Sequence, residues 1–394
     1  MKKIAEVFLL ALALFLLFTP ETRAESAARD IAADCKLSAD ADAKRRSVVL
    51  KEGYKSYWNG GEKGTLTVAL PKGQYAQGVA LSFFQDVPPI VIEAQDDAGA
   101  RQIIAEYRDP YENAYISFPA PQRLFTIRMA EDSKVTLKIS RLHVLSEGEL
   151  PDWVQRWTPF EGDAELLVLS THPDDELLWF GGLIPTYAGE LKRKVMVAYM
   201  VGGLNAPRKN ELLDGLWTCG VRCYPDIGYL EDGSQHPAWA SDGRAQRRVV
   251  ELLRKYRPQV VVTQDIEGEY GHPHHKFVVA AAIKGVTELA ADASFDPDSA
   301  LQYGVHAVQK LYLHLWKEHK IVMNWDRPLD AFGGKTSLQV AREAYKKHLS
   351  QQRGKYRITT SGSLDSTRFG LYYSTVGYDE AGDDLFENCV APNK

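Results

Sequence analysis

The chain has no excess of positive charge. Its 47 Lys and Arg stand against 52 Asp and Glu, for a formal net charge of -5. A nucleic-acid partner, whose phosphates call for a basic face, is therefore not expected. Cysteine is scarce, at four residues, and Cys219-Gly220-Val221-Arg222-Cys223 has no second cysteine pair to complete a four-ligand structural zinc site. Long apolar runs are lacking as well. The apolar stretch at residues 7–18 falls short of the ~20 residues that cross a bilayer. Lys2 and Lys3 precede it, and Pro20 and Thr22-Arg23-Ala24 follow. That layout is expected of a secretory signal peptide, 1–24, with the mature chain beginning near Glu25. An uncleaved anchor is the alternative, and the absence of a cysteine after the run argues against a lipoprotein. No internal repeat or low-complexity tract is present.

Export would place the protein in an oxidising compartment, periplasmic or extracellular, where an even cysteine count favours disulfides. Three pairings are open to Cys35, Cys219, Cys223 and Cys389. The preferred one joins Cys219 to Cys223 and ties the two ends through Cys35 and Cys389; buried free thiols are the alternative.

What the chain does have is two kinds of hydrophobic patterning, and its 394 residues suit two domains. From about residue 44 to residue 145, short runs alternate apolar and polar. Examples are Thr65-Leu66-Thr67-Val68-Ala69-Leu70, Val79-Ala80-Leu81-Ser82-Phe83, Leu124-Phe125-Thr126-Ile127-Arg128 and Val135-Thr136-Leu137-Lys138-Ile139. Breakers such as Asn59-Gly60-Gly61, Pro88-Pro89 and Pro119-Ala120-Pro121 separate them. The pattern predicts an antiparallel β-sandwich over 36–150. Tyr54, Tyr57 and Trp58 could stack on a sugar ring there, although aromatics in a sandwich more often fill its core.

After a junction at 146–162 the grammar changes. Leu166-Leu167-Val168-Leu169, Val195-Met196-Val197-Ala198-Tyr199 and Val260-Val261-Val262 are continuous apolar runs, as expected of strands buried on both faces. Helical stretches lie between them, near 209–216 and 244–256. Strands alternating with helices predict a mostly parallel sheet over 160–394. In such a sheet the active site gathers outside the carboxyl ends of the strands.

Two motifs sit at such ends. Thr171-His172-Pro173-Asp174-Asp175-Glu176 follows the first buried run. His172 and Asp175, three residues apart in a turn, can meet one metal ion, with Asp174 beside it as a base. An acidic helix start would explain the carboxylates through the helix dipole but not His172 or Pro173. Glu269-Tyr270-Gly271-His272-Pro273-His274-His275 follows the run at Val260 and supplies the third ligand that a His/Asp/His site needs.

Together the two motifs resemble the PIG-L/LmbE-like family of metal-dependent N-deacetylases, which includes enzymes acting on N-acetylglucosaminyl lipids and on mycothiol precursors. The resemblance spans roughly 164–394. It implies a Rossmann-like, mostly parallel α/β catalytic domain behind the sandwich. It implies Zn2+, or another divalent metal, on His172, Asp175 and His275, and Asp174 as general base. His272 would stabilise developing charge or protonate the leaving amine, and Tyr270 would reach the oxyanion. Arg208 and Asp232 would contact substrate. Many members have aspartate where this chain has His274. His348-Leu349-Ser350-Gln351, Ser374-Thr375-Val376-Gly377 and Asp384-Leu385-Phe386-Glu387 also look like the family, and packing of the C-terminal region is the preferred reading for them.

The expectation is thus an exported zinc-dependent hydrolase that removes the N-acetyl group of an amino sugar in a glycan or glycoconjugate. The alternatives are an amidase for another sugar-linked amide and a catalytically silent carbohydrate-binding protein. No membrane span is expected after signal cleavage.

Overall fold

A computed structural model describes residues 26–95, 99–131, 133–202 and 206–390; the expected signal segment, 1–24, lies outside them. Among the described residues, no helix is long and apolar enough to cross a membrane.

The first part of the chain forms two antiparallel sheets. One has the order β1-β3-β8-β5-β6, built from β1 (Lys36–Ala39), β3 (Thr65–Ala69), β8 (Leu124–Met129), β5 (Ile90–Gln95) and β6 (Arg101–Tyr107). The other has the order β2-β9-β4-β7, from β2 (Trp58–Gly61), β9 (Leu137–Ser146), β4 (Ala76–Phe83) and β7 (Asn113–Gln122). Alternation does the sorting: in β3, Leu66 and Val68 are buried while Thr65, Thr67 and Ala69 are only partly so. Val68, Ile92 and Ile127 of one sheet share a core with Leu81, Ile116 and Val144 of the other. Tyr54, Tyr57 and Trp58 do not form a stacking face. Trp58 is fully buried, Tyr54 is 2% exposed, and Tyr57 stacks on Phe84 at 4.1 Å.

The second part is a seven-stranded sheet in the order β12-β11-β10-β13-β14-β16-β15. Its strands are β10 (Leu166–Ser170), β11 (Val195–Val201), β12 (Asp226–Leu230), β13 (Val260–Thr263), β14 (Lys310–His314), β15 (Lys320–Val322) and β16 (Arg368–Ser374). β10 to β14 run parallel, β16 pairs antiparallel with β14, and β15 pairs antiparallel with β16. The helices are α1 (Asp175–Leu178), α2 (Ala206–Thr218), α3 (Arg244–Tyr256), α4 (Pro273–Lys284), α5 (Pro297–Tyr303) and α6 (Ser337–Tyr345). They cover both faces, which is why the strands read as unbroken apolar runs. Leu166 and Val168 pack with Leu212 and Leu216 of α2, whereas Leu167 and Leu169 pack with Leu252 of α3 and Val278 of α4.

The chain leaves the sheet from β10 to one side through β11 and β12, then crosses to the other side at β13. That reversal opens a crevice at the carboxyl ends of β10 and β13, the place where doubly wound sheets bind ligands.

The cysteines overturn the expected disulfides, since all four are free thiols. Cys35 packs against the sandwich core and Cys389 against the core of the seven-stranded sheet. Cys219 is buried after α2, while the Cys223 thiol is turned to the Val195 carbonyl at 3.5 Å. Burial pushes the Cys35, Cys223 and Cys389 thiols up to about 11, leaving them protonated at neutral pH.

Candidate metal and catalytic site

The crevice brings the two motifs together. Gln264, just past β13, accepts the Thr171 backbone N–H at 3.1 Å and so ties the turn after β10 to the neighbouring strand end. The turn is tight. Asp174 has φ 106°, a left-handed conformation that a non-glycine residue rarely adopts. Its N–H donates to Glu176 Oε2 at 2.8 Å, and its carbonyl accepts from Leu177 and Leu178 at the start of α1. The second motif enters α4 with His272 as N-cap, Nδ1 accepting the His274 N–H at 3.2 Å. Gly271, at φ 90°, supplies the turn that lets Tyr270 and His272 both line the same cavity.

Ligand atoms of His172, Asp175 and His275 all lie within 4.8 Å of one another, and all three residues are buried. Asp175 Oδ2 is 3.1 Å from His172 Nδ1 and 3.1 Å from His275 Nε2, while Oδ1 accepts the Trp179 indole N–H at 2.7 Å. One carboxylate oxygen is thereby spoken for, and the other faces both imidazoles. His275 Nδ1 is 2.6 Å from Glu269 Oε2, and Glu269 Oε1 is 3.2 Å from His314 Nδ1. A carboxylate holding the outer nitrogen of a histidine leaves its inner nitrogen aimed at a metal. The donor set of two imidazoles and a carboxylate fits a divalent ion.

The electrostatics agree. Burial works against a charged His275, yet Asp175 and Glu269 on either side outweigh it and hold its pKa up, to about 10. Asp175 is resisted by burial but held well below the carboxylate range by His275 and His172. The cluster calls for one positive charge at its centre, which a proton or a metal can supply. Burial, then the Asp175 charge, pushes Asp174 up to about 8 against the opposing pull of Arg208. Burial and the neighbouring imidazoles push His272 down to about 4. Neutral His272, with Nδ1 accepting from the backbone, carries its proton on Nε2.

His172, Asp174, Asp175, Arg208, Asp232, Tyr270 and His272 all line one cavity of about 260 Å³, and His275 lies fully buried beside Asp175. Arg208 Nη2 donates to the Pro173 carbonyl at 2.6 Å and lies 3.3 Å from Asp174 Oδ1, so it holds the Asp174 turn as well as facing the cavity. Asp232 is at the rim, 4.0 Å from His172 Nε2. Tyr270 is 43% exposed and stacks on Tyr356 at 4.2 Å. His274 Nδ1 is 3.0 Å from His172 Nε2, and its Nε2 is 2.5 Å from the Ser234 carbonyl. A second grouping of His172, His272 and His274 results.

Four further residues belong to the site. Glu269 and His314 back His275, and Glu176 and His348 lie beneath Asp174, His348 Nε2 being 3.4 Å from Glu176 Oε1. Glu176 and Glu269 were present in the two motifs without a role. His348 is read in the sequence as C-terminal packing; it packs, but against the carboxylate that holds the Asp174 turn.

Residues 167–286 match the family described as PIG-L: GlcNAc-PI de-N-acetylase. A 1D-myo-inositol 2-acetamido-2-deoxy-alpha-D-glucopyranoside deacetylase of Catenulispora acidiphila is 31% identical over 179 residues, 37% of this chain and 54% of the relative. One from Streptomyces avermitilis is 32% identical over 168 residues, 34% of this chain and 57% of the relative. The chain thus spans about half the length of the curated relatives it matches. Among solved structures, N,N'-diacetylchitobiose deacetylase from Pyrococcus horikoshii is similar at 19% identity and TM-score 0.37, over 50% of this chain and 73% of that one. The match to that family, over residues 167–286, takes in both motifs, β13 and all but the first residue of β10.

Proposed function

We propose that this protein is an exported, zinc-dependent N-deacetylase that hydrolyses the acetamide of an N-acetylglucosamine-type unit in a glycan or glycoconjugate. The observation that carries the reading is the convergence of the two motifs within the PIG-L match on one buried His/Asp/His cluster beside Asp174. His172, Asp175 and His275 would hold the ion. Zinc, which suits such sites with one position left open, would supply Lewis acidity that polarises the amide carbonyl and acidifies a water to a pKa of about 7.

The chain's own residues divide the remaining work. Asp174, whose raised pKa would be drawn back down by a cation on Asp175 and the two histidines, would accept a proton from the attacking water as its oxygen bonds to the amide carbon. Tyr270, whose pKa is raised by burial and by the nearby Asp175 charge, stays protonated and directs its O–H at the carbonyl oxygen. His272 presents Nε2–H to the same region, stabilising the charge that develops as the C–N bond breaks. The amine then departs with the proton that Asp174 took from the water, and the acetic acid left behind gives its remaining proton to solvent to become acetate. Arg208 fixes the Asp174 turn, and Asp232 at the rim offers a carboxylate to a sugar hydroxyl. We assign the export to residues 1–24, whose layout is that of a signal peptide.

The test is release of acetate and free amine by the purified protein from N-acetylglucosamine and N-acetylgalactosamine mono- and oligosaccharides, with added zinc and with a chelator. Chelator-sensitive release from the N-acetylglucosamine series is expected. No release from any substrate by zinc-loaded protein would overturn the reading.

A further inference from the structure

The two histidines of the buried cluster are backed in different ways. His275 has the Glu269 carboxylate behind it, Nδ1 to Oε2 at 2.6 Å. His172 has another imidazole behind it, Nε2 to His274 Nδ1 at 3.0 Å. The far nitrogen of His274 ends on a backbone carbonyl, Nε2 to Ser234 O at 2.5 Å. A carbonyl oxygen accepts and never donates, so it decides where the protons of this row lie. Neutral His274 carries its proton on Nε2 and keeps a lone pair on Nδ1. His172 must then donate Nε2–H to that lone pair, which leaves its own Nδ1 bare.

The bared atom is aimed at the cluster. His172 Nδ1 lies 3.1 Å from Asp175 Oδ2, which also lies 3.1 Å from His275 Nε2. Glu269 draws the His275 proton outward to Nδ1 in the same way. With one proton per ring, three lone-pair atoms converge on one point, the arrangement that a bound cation satisfies. The grouping of His172, His272 and His274 is of another kind. Its His172 Nε2 and His274 Nδ1 are donor and acceptor of one hydrogen bond, which makes it a support for the first cluster and not a second seat for an ion.

His274 is held in this role by its surroundings. It is 2% exposed in the first turn of α4, and its ring meets the buried Trp239 edge to face at 5.1 Å. Trp239 donates its indole N–H to the Glu231 carbonyl at 2.9 Å, which ties down the loop that carries Asp232 and Ser234.

We propose that His274 is the positioning residue for His172, accepting its Nε2 proton so that Nδ1 is presented to a divalent ion. The inference rests on the metal site of the proposed function and not on the reaction carried out there. It makes the loop after β12 part of that site, since Ser234 fixes the His274 proton and Asp232, two residues earlier, lines the cavity.

The experiment replaces His274 in the full chain and measures zinc affinity by competition with a chromogenic chelator, without substrate. His274→Phe fills the same space with no acceptor and should weaken zinc binding by about 10 to 100-fold, the range such partners contribute. His274→Asn sets an amide oxygen near the position of Nδ1 and should recover most of the loss. Should His274→Phe fail to fold, proton–nitrogen NMR correlation of the histidine-labelled, zinc-loaded wild type decides alone, with His172 and His274 each expected to carry the proton on Nε2. Unchanged affinity in folded His274→Phe, His274→Asn no better than His274→Phe, or a His172 proton on Nδ1 would overturn the proposal. Zinc binding that follows these expectations without any release of acetate would support it and count against the deacetylase reading alone.

Discussion

At the scale of the residue, the site depends on carboxylates held in defined surroundings. Asp174 sits at φ 106°, a region that asparagine tolerates better than most residues, so Asp174→Asn should fold with the turn intact. It keeps the shape and loses the base. Turnover should fall by about 10² to 10⁴-fold, the usual worth of a general base, with bound metal unchanged by elemental analysis. Undiminished turnover would remove Asp174 from the reaction. Glu269 makes a different prediction, because it touches the His275 ring and not the cavity. Glu269→Gln should weaken metal affinity by about 10 to 100-fold, read by competition with a chromogenic chelator. Unchanged affinity would show that Glu269 only packs. The difference between these two carboxylates also marks what the sequence discloses. Asp174 and Asp175 stand beside His172 in a strand-end turn, where their ligand chemistry is legible. Glu269 gains its role from His314, 45 residues away at the end of β14, and no spacing along the chain reveals that pairing.

At the scale of the element, patterning tells strands and helices apart where burial alone decides them. The runs at Leu166, Val195 and Val260 are β10, β11 and β13, and the stretch 244–256 is α3. It misleads where a long-range partner intervenes. Lys310 opens β14 and disguises a fully buried strand, because its ammonium is matched by Asp379 and Tyr312. Pro119 and Pro121 read as a break yet lie within β7, at the edge of its sheet, where a missing N–H costs no ladder bond. A similar long-range pairing joins β12 to α3. Burial resists the Asp226 charge, but Arg248, Tyr256 and Lys255 together hold its pKa below the usual carboxylate value. A carboxylate depressed in the folded state adds stability at neutral pH, which is lost as pH falls below the unfolded value of about 4 and through the folded one. Asp226→Asn leaves the buried Arg248 only the more exposed Glu251, 3.2 Å away, and should cost at most about 3 kcal/mol at pH 7. Chemical denaturation from pH 7 down to pH 3 should show that deficit shrinking as the wild-type carboxylate protonates. A deficit that stays constant with pH would mean the pair contributes through packing alone.

At the scale of the whole molecule, α2 joins the two parts, since one helix makes contacts with both. Its Asn210 side chain donates to the Phe83 carbonyl of β4 at 2.9 Å, and Asp214 accepts from Tyr54. Lys209 pairs with Glu112, a residue only 4% exposed that also accepts from Tyr224. The same helix reaches the Asp174 turn through Arg208. Contacts that are buried and charged couple the two parts more tightly than a wet, loosely packed junction would. The chain should therefore melt as one unit, giving a single calorimetric transition. Glu112→Ala strands the Lys209 ammonium and the Tyr224 hydroxyl at the junction, so it should lower that transition as a whole and reduce turnover by loosening the helix that carries Arg208. Two separated transitions in the wild type, or a Glu112→Ala shift confined to one of two, would mean that the sandwich is tethered to the seven-stranded sheet without supporting it.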